Sequence, residues 1–340
     1  MGLLGEPSMD FQKRLIERRL NDFGLEVVYT PHALHGIEFL KNTPEKRAED
    51  LKWAFADATI KGIICAIGGD DTYKTIPYLL NDKKFINNVR NHPKIFIGYS
   101  DSTINHLMFQ KLGLMTYYGH AAIVDFGELS KEMLPYSKMW FKKLFGSEKV
   151  TEIIASPVWY LERTSFTEAE FDKERISIAE EKGYEVLQGT GVLNGKLFGG
   201  CVESLSELLS GSRHVAEAAI NVQFELFPSL QELTGKILFL ETSEEKITPE
   251  KLRELLLVLE QYGIFAVIGG VLMGKPQDCV YYEEYKAVLI DVIGSHNKPI
   301  LVNMNFGHAH PKCILPYGAD VEIDFDNCKV TINEPITLEN

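Results

Sequence analysis

The chain has 340 residues, of which 45% are hydrophobic and 24% are charged, and its formal net charge is −13. This length exceeds what a single compact core usually holds, so we expect one large or two medium domains. The acidic balance argues against nucleic acid or an anionic membrane as the main partner.

The cysteines and the apolar runs indicate the compartment. Five cysteines are scattered along the chain without CxxC spacing, which argues against a disulfide framework or a zinc ribbon and favours a reducing environment. The first residues do not resemble a signal peptide, and no apolar run reaches the length of a membrane span. We therefore expect a cytoplasmic protein, or one secreted by a signal outside this sequence.

The first third of the chain alternates between helical and strand patterns. Helical spacing of apolar residues is found in 11–24, 43–57 and 104–113, with Thr43 as a predicted N-cap. Short apolar or β-branched runs at 25–30, 62–69, 94–100 and 115–123 predict strands. This alternation indicates a doubly wound, mostly parallel α/β domain, which we assign to residues 1–165.

The remainder of the chain predicts a second α/β domain at residues 166–340. Residues 126–190 contain a predicted helix pair and then a polar, aromatic stretch that we interpret as the connection between the domains. Strands are predicted at 234–245, 266–274 and 298–311, and a strongly amphipathic helix begins after the N-cap Thr248. Period-two alternation around Asp326 predicts a terminal β-hairpin.

Four predicted strands end in polar or glycine-rich segments. These are IGGDDT (67–72), IGYSDS (97–102), FLETSEE (239–245) and MNFGHAHP (304–311). In α/β folds, ligands bind outside the carboxyl ends of the strands. The four segments together supply a serine, a glutamate and a histidine, so they are the first candidates for a functional site.

The segment containing Ser100 has two interpretations. A serine between a strand and a helix resembles a nucleophile elbow, in which the helix N–H groups are able to hold an oxyanion. The alternative is an ordinary helix N-cap formed by Ser100 or Asp101. The glycines before Asp70 and Asp71 have a similar pair of interpretations: a backbone cradle for an anion, or a strand–helix turn with an aspartate cap.

The later two segments offer an acid and a base. Glu241 ends an apolar strand and is suited to orient a histidine, although a solvated strand end is the alternative. Glu244, Glu245 and Lys246 are expected to form a solvated surface. His308 and His310 have no third ligand at a recognisable spacing, so a general base is favoured over a metal site, and no cofactor is expected.

The order Ser, Glu, His along the chain is more informative than any one of these residues. A serine hydroxyl becomes a good nucleophile when a base removes its proton, and the base requires an orienting acid. A rival interpretation is a binding protein whose two lobes close on a small ligand. In that case Ser100, Glu241 and His308 would lie apart in the fold.

The polar segments, taken with TYYGHA (116–121), GKLFGGCVE (195–203) and NFGHAHPKCILPYG (305–318), resemble the LD-carboxypeptidase family of serine peptidases. The resemblance is strongest to the branch containing the microcin C self-immunity peptidases. It implies a homodimer with the active site between two domains, Ser100 as nucleophile, Glu241 as triad acid and His308 as base. The oxyanion hole implied by it consists of the backbone N–H groups of Asp101, Gly69 and Asp70.

The resemblance also implies a substrate with an amide near a free carboxyl end. This is either the L,D bond of murein tetrapeptide or an aminoacyl–nucleotide linkage. In the microcin branch an aromatic residue stacks on the nucleobase, and Tyr184 or Trp159 matches that role, with simple packing between the domains as the alternative. Glu203 either faces the site or lies on a helix surface. The family usually begins with a strand and a loop before the first helix, and here only LLGEPSM precedes it.

Overall fold

The computed structural model describes residues 3–336, in which helices pack against a small and a large β-sheet. The α-helices are α1 (Asp10–Asp22), α2 (Ile37–Asn42), α3 (Pro44–Ala56), α4 (Ile76–Leu80), α5 (Lys83–Asn91), α6 (Thr103–Lys111), α7 (Pro135–Lys143), α8 (Val202–Ser210), α9 (Val215–Phe224), α10 (Leu230–Leu233), α11 (Pro249–Tyr262), α12 (Ile264–Val267) and α13 (Tyr282–Val292).

The strands belong to three sheets. They are β1 (Gly62–Ile64), β2 (Ile95–Gly98), β3 (Thr116–Tyr118), β4 (Thr151–Glu152), β5 (Val158–Tyr160), β6 (Ser177–Ala179), β7 (Glu185–Gln188), β8 (Val192–Cys201), β9 (Ile237–Glu241), β10 (Gly270–Gly274), β11 (Ile300–Met304), β12 (Leu315–Tyr317), β13 (Asp320–Asp324) and β14 (Lys329–Ile332).

The small sheet has the order β1-β2-β3-β12. Strands β1, β2 and β3 are parallel, with Ile64 opposite Ile97 and Gly98 opposite Tyr118. Strand β12 comes from the C-terminal part of the chain and pairs antiparallel with β3. The expectation of a mostly parallel N-terminal sheet is confirmed, and its fourth strand ties the two parts of the chain together.

The large sheet has the order β4-β14-β13-β8-β9-β10-β11-β7. Its centre, β8 to β11, is parallel and fully buried along β9, β10 and β11, which explains the continuous apolar runs of these strands. The predicted hairpin is formed by β13 and β14. The predicted mixed α/β architecture with a second α/β part is therefore confirmed, while the boundary at residue 165 stays a prediction.

One local prediction in the N-terminal part is wrong and another is confirmed in position only, and side-chain hydrogen bonds explain both. Residues 25–30 form no strand, because the hydroxyl groups of Tyr29 and Thr30 donate to carboxylates of α1 and α3 and the segment joins no sheet. Thr43 occupies the N-cap position of α3, but its side chain does not cap the helix, since its hydroxyl donates back to the carbonyl of Phe39 at 2.7 Å. Thr248 does cap α11, as predicted, by accepting the Lys251 N–H.

The segment between the two parts of the chain is held by a buried ion cluster. The predicted helix pair is wrong: the segment that begins at residue 126 contains one α-helix, α7, and a π-helical turn at Ala122–Phe126 precedes it. Glu128 accepts hydrogen bonds from Arg163 (2.6 Å) and Arg175 (2.5 Å), and all three side chains are at most 7% exposed. This cluster fixes the hairpin β5–β6. Within the part of the chain that the structure describes, no helix has the length and apolar character needed to cross a membrane.

Candidate active site

The turn after β2 holds Ser100 in a strained conformation. Its φ is +65°, a left-handed value that non-glycine residues rarely adopt and that costs roughly 1–3 kcal/mol. Two bonds support the turn: the Ser100 carbonyl accepts the Thr103 hydroxyl at 2.7 Å, and the His106 ring contacts the Gly98 carbonyl at 3.0 Å. Such a turn at the tip of a strand is the geometry of a nucleophile elbow.

The glycine turn after β1 packs directly against Ser100. A Cβ added to Gly68 would lie 2.8 Å from the Ser100 Oγ and 3.4 Å from the Asp101 backbone nitrogen. Only a residue without a side chain permits this approach. Gly69 and Asp70 follow in the same turn. The segments containing the three residues expected to form the oxyanion hole are therefore adjacent.

Asp101 connects the two turns through its side chain. Its Oδ2 accepts the backbone N–H groups of Asp71 (3.1 Å) and Thr72 (2.9 Å), so it caps the short helix at Thr72–Thr75 rather than its own helix. Asp101 is 5% exposed, and burial raises the pKa of its carboxyl group. The alternative that Asp101 is merely the N-cap of the helix that follows it is thus wrong.

Glu241 and His308 form a direct pair at the ends of β9 and β11. The Glu241 carboxylate is 0% exposed, and its Oε2 lies 2.7 Å from His308 Nδ1 and 3.2 Å from the His308 backbone nitrogen. Gly307, at φ +89°, makes the contact possible, because a Cβ there would lie 2.5 Å from Glu241 Oε2. Glu241 is not a solvated strand end. It is placed to orient the imidazole.

Tyr118 links this pair to the turn that contains Ser100. The Ser100 N–H donates to the Tyr118 oxygen at 3.1 Å, and the Tyr118 hydroxyl donates to Glu241 Oε1 at 2.5 Å. The Tyr99 ring also contacts the His308 ring edge-on, with centroids 4.9 Å apart. The structure therefore brings Ser100, Glu241 and His308 together. Within residues 3–336, however, no hydrogen bond joins the Ser100 hydroxyl to His308.

The other ring nitrogen of His308 faces Glu244. Glu244 lies at the surface, as expected, with 65% of its side chain exposed, and its Oε2 also lies 3.0 Å from Nε2. Burial alone would lower the pKa of His308, but Glu241 and Glu244 outweigh burial and raise this pKa to about 10. The same contact lowers the pKa of Glu244 to about 2.

Glu203 is buried behind the site rather than exposed on a helix surface. Its Oε1 accepts the N–H (2.9 Å) and hydroxyl (2.7 Å) of Ser243, and its Oε2 lies 3.1 Å from the Cys201 thiol. Burial raises the pKa of Glu203. These contacts anchor the start of the segment that carries Glu244.

The two candidate aromatic residues differ in exposure. Tyr184 is 8% exposed and packs in the core, and burial raises the pKa of its hydroxyl above the usual range. Trp159, on β5, is partly exposed, and Lys275 Nζ lies 5.6 Å from its ring centroid. The neighbouring Tyr160 donates its N–H to the His310 carbonyl at 3.0 Å, which places β5 beside the loop that carries His308.

His310 is a structural residue in a buried setting. Its Nε2 lies 3.1 Å from Glu162 Oε2, and burial lowers its pKa to about 4, so the ring is neutral at pH 7. Residues 3–336 contain no group of three or more histidine, cysteine, aspartate or glutamate side chains arranged to hold a metal ion.

Two residues of the network were not identified from the sequence. Tyr118 lies at the end of a strand whose terminal segment contains no acid, and its partners are 18 and 123 residues away. The sequence nevertheless contained a signal for Tyr118, because β3 is parallel to β2 and the end of β3 must lie at the same edge of the sheet as the end of β2. Glu244 lies in a run of charged residues that is typical of a solvated loop.

The chain matches known proteins over nearly its full length. Residues 6–119 match the LD-carboxypeptidase N-terminal domain, and residues 194–323 match the LD-carboxypeptidase C-terminal domain. The chain is 27% identical over 303 residues to the microcin C7 self-immunity protein MccF of Escherichia coli, an alignment covering 87% of this chain and 80% of that protein. It is also 27% identical over 309 residues to a probable murein peptide carboxypeptidase of Bacillus subtilis, covering 88% and 80% of the two chains.

Solved structures give the same result. An MccF-like protein from Streptococcus pneumoniae, crystallised in complex with AMP, superimposes with a TM-score of 0.94 at 43% sequence identity. The superposition covers 98% of this chain and 96% of that one. The resemblance inferred from the motifs is thereby confirmed, and the chain belongs to the LD-carboxypeptidase family.

Proposed function

We propose that this protein is a serine-type hydrolase of an amide bond near a free carboxyl end. The observation that carries the proposal is the network in which Tyr118 joins the strained Ser100 turn to the Glu241–His308 pair. A binding protein without chemistry would not require these residues to meet. It would also not require a left-handed serine, whose strain has to be offset elsewhere in the fold.

In the proposed reaction Ser100 Oγ attacks the scissile carbonyl while His308 Nε2 takes the hydroxyl proton. Glu241 holds the imidazole in the correct tautomer and stabilises its charged form. The developing oxyanion accepts hydrogen bonds from the backbone N–H groups of Asp101, Gly69 and Asp70. His308 then gives its proton to the leaving amine, and water hydrolyses the acyl-enzyme. No step requires a metal or a cofactor.

For the substrate we propose an aminoacyl–nucleotide type of linkage. The AMP complex of the Streptococcus pneumoniae relative, at 43% identity, supports a site for the nucleotide part. Trp159 is the aromatic residue we favour against the nucleobase, because its ring is partly exposed beside the His308 loop. Tyr184 and Glu203 are buried and would support the site indirectly, Tyr184 by packing in the core and Glu203 by anchoring Ser243.

The second candidate is a murein tetrapeptide L,D-carboxypeptidase, which the Bacillus subtilis relative supports. The assay incubates the protein with murein tetrapeptide and, separately, with an aminoacyl sulfamoyl adenosine, and identifies the released products by mass. Release of the free amino acid and the sulfamoyl nucleoside supports the first proposal, and release of a terminal D-residue supports the second. Trp159→Ala should raise KM at least about fivefold for the nucleoside substrate, since stacking contributes about 1–3 kcal/mol per base, and should leave KM for the tetrapeptide unaffected.

Ser100→Ala tests the mechanism itself. We expect it to abolish turnover and labelling by a fluorophosphonate probe, because no other group supplies the attacking oxygen. Ser102→Ala is the matched control: the same atom is removed two residues further along, from a buried serine outside the proposed chemistry. Wild-type turnover by Ser100→Ala would refute the mechanism. We further propose a homodimer, which light scattering coupled to size-exclusion chromatography measures directly.

A further inference from the structure

The imidazole of His308 lies between two carboxylates, one at each ring nitrogen. Glu241 Oε2 is 2.7 Å from Nδ1, and Glu244 Oε2 is 3.0 Å from Nε2. A carboxylate accepts hydrogen bonds, so both contacts are satisfied at once only when both nitrogens carry a proton. In this form the ring is an imidazolium and has no lone pair with which to take the proton of Ser100.

The Glu241 carboxylate is held much more rigidly than the Glu244 carboxylate. Glu241 is 0% exposed, ends the central strand β9 and has its second oxygen bonded to Tyr118. Glu244 has a side chain that is 65% exposed and lies between β9 and α11. Because most of its side chain is exposed, Glu244 is able to leave into water, where its carboxylate is hydrated, whereas Glu241 would have to leave the core.

The backbone around Glu244 is anchored on both sides. Ser243 donates its N–H and hydroxyl to Glu203, and Lys246 Nζ lies 2.6 Å from Asp278 Oδ2. Lys246 also has a left-handed backbone, with φ +49°. Because the chain is fixed on either side, Glu244 leaves His308 by rotation of its own side chain, without a rearrangement of the whole loop.

We propose that Glu244 is a positioning residue that holds His308 in a resting state, and that it withdraws from Nε2 before Ser100 is deprotonated. This inference rests on the proposed function, since it concerns the base of that reaction. When Glu244 has left, the Nε2 proton passes to solvent water, and the neutral ring then accepts the proton of Ser100. The substrate has to enter beside the same nitrogen, so its binding and the departure of Glu244 are coupled.

Other charged and titratable groups around His308 do not replace this contact. Tyr99 packs against the ring, and Lys312 Nζ lies 4.4 Å from the Tyr99 ring centroid. Lys312 is a cation and therefore opposes a charged imidazole. The other nearby carboxylates have charged or imidazole partners of their own. Asp125 pairs with Lys312, and Glu162 pairs with Arg175 and His310.

The test uses Glu244→Gln, which keeps the size of the side chain and removes its charge. Glu245→Gln is the matched control, with the same change at the next residue. NMR of the His308 ring nitrogens measures its titration, and fluorophosphonate labelling of Ser100 measures reactivity as a function of pH. We expect the Glu244→Gln titration to move at least about one pH unit lower, which at pH 7 makes labelling about tenfold faster than in the wild type. Glu245→Gln should match the wild type.

Two results would overturn the inference. One is a His308 titration that is the same in Glu244→Gln and in the wild type. The other is slower labelling of Glu244→Gln at every pH, with no displacement of the pH dependence, which would indicate a purely structural residue. Failure of the proposed function is distinguishable, because the NMR titration requires no turnover. If wild-type Ser100 were never labelled, the nucleophile would be rejected while NMR still decided the contact of Glu244.

Discussion

Replacement of Tyr118 by phenylalanine tests the network that joins Ser100, the proposed nucleophile, to Glu241, the proposed triad acid. The change removes one buried hydroxyl, which donates to Glu241 Oε1 and accepts the Ser100 N–H. The bond to a carboxylate contributes about 1.5–3 kcal/mol and the neutral bond about 0.5–1.5 kcal/mol, so the free energy of unfolding should fall by about 2–4 kcal/mol.

The same change should reduce activity more than the loss of stability alone explains. Without the tyrosine oxygen, nothing holds the Ser100 N–H, and Glu241 keeps only its contacts with His308. We expect kcat/KM to fall about 10- to 100-fold, which corresponds to about 1.4–2.8 kcal/mol of transition-state stabilisation. KM should change little, because Tyr118 is 0% exposed and offers no surface to a substrate.

Tyr117→Phe is the matched control for this experiment. Tyr117 precedes Tyr118 on β3, is equally buried, and donates its hydroxyl to the Ile336 carbonyl, away from the site. Its loss should cost about 0.5–1.5 kcal/mol of stability and no activity. Stability is measured by chemical denaturation and activity with the substrate identified in the paired assay. A kcat/KM for Tyr118→Phe within twofold of the wild type would refute the reasoning.

Two further predictions concern the surroundings of the site. Gly68→Ala should lower kcat/KM about 100-fold, because its Cβ would displace Ser100 and small errors in position cost about that much. In Gly62→Ala the added Cβ would make an ordinary 3.5 Å contact, so kcat/KM should not fall. Equal kcat/KM values for the two variants would contradict the close approach of Gly68 to Ser100. Glu128→Gln should destabilise the fold by about 3–5 kcal/mol, as expected for a broken buried ion cluster, whereas the exposed Glu132→Gln should cost less than about 1 kcal/mol. Although burial opposes it, Arg175 and Arg163 lower the pKa of Glu128 to about 2, so its stabilisation is present above pH 4.5 and is lost as the pH falls towards 2. Denaturation midpoints measured across this range provide the check, and a wild-type midpoint in Glu128→Gln would contradict it.

Part of the candidate site was predictable from the sequence, because ligands of α/β folds bind outside the carboxyl ends of the strands. The segments that contain Ser100, Glu241 and His308 each follow an apolar run that predicts a strand. Ser100 follows β2 of the small sheet, however, whereas Glu241 and His308 follow β9 and β11 of the large sheet. The local patterns therefore identified the strand ends and the residue types there, but not how the ends of two different sheets meet.

The sequence was less informative where contacts join distant residues. Strand β12 lies in the C-terminal half of the chain, yet it pairs with β3 and completes the N-terminal sheet. Residues 25–30 have strand composition, but side-chain bonds to Glu17 and Asp50 hold them outside any ladder. Glu244 occurs in a charged run, and its approach to His308 depends on Glu203 anchoring Ser243, 40 residues away. Local propensity carries no information on such pairings.

Two buried acids, Asp101 and Glu241, have different tasks in the fold. Asp101 adjoins Ser100 in sequence, but its Oδ2 accepts the N–H groups of Asp71 and Thr72, so it fixes the turn that contains them. Glu241 is 141 residues from Ser100 in sequence, and it ends β9, where its Oε2 lies 2.7 Å from Nδ1 of His308, in the loop that follows β11. A triad acid must be fixed on the base and desolvated, which favours the end of a buried strand. An acid beside Ser100 is better placed to fix the neighbouring backbone amides, which we propose as the oxyanion hole.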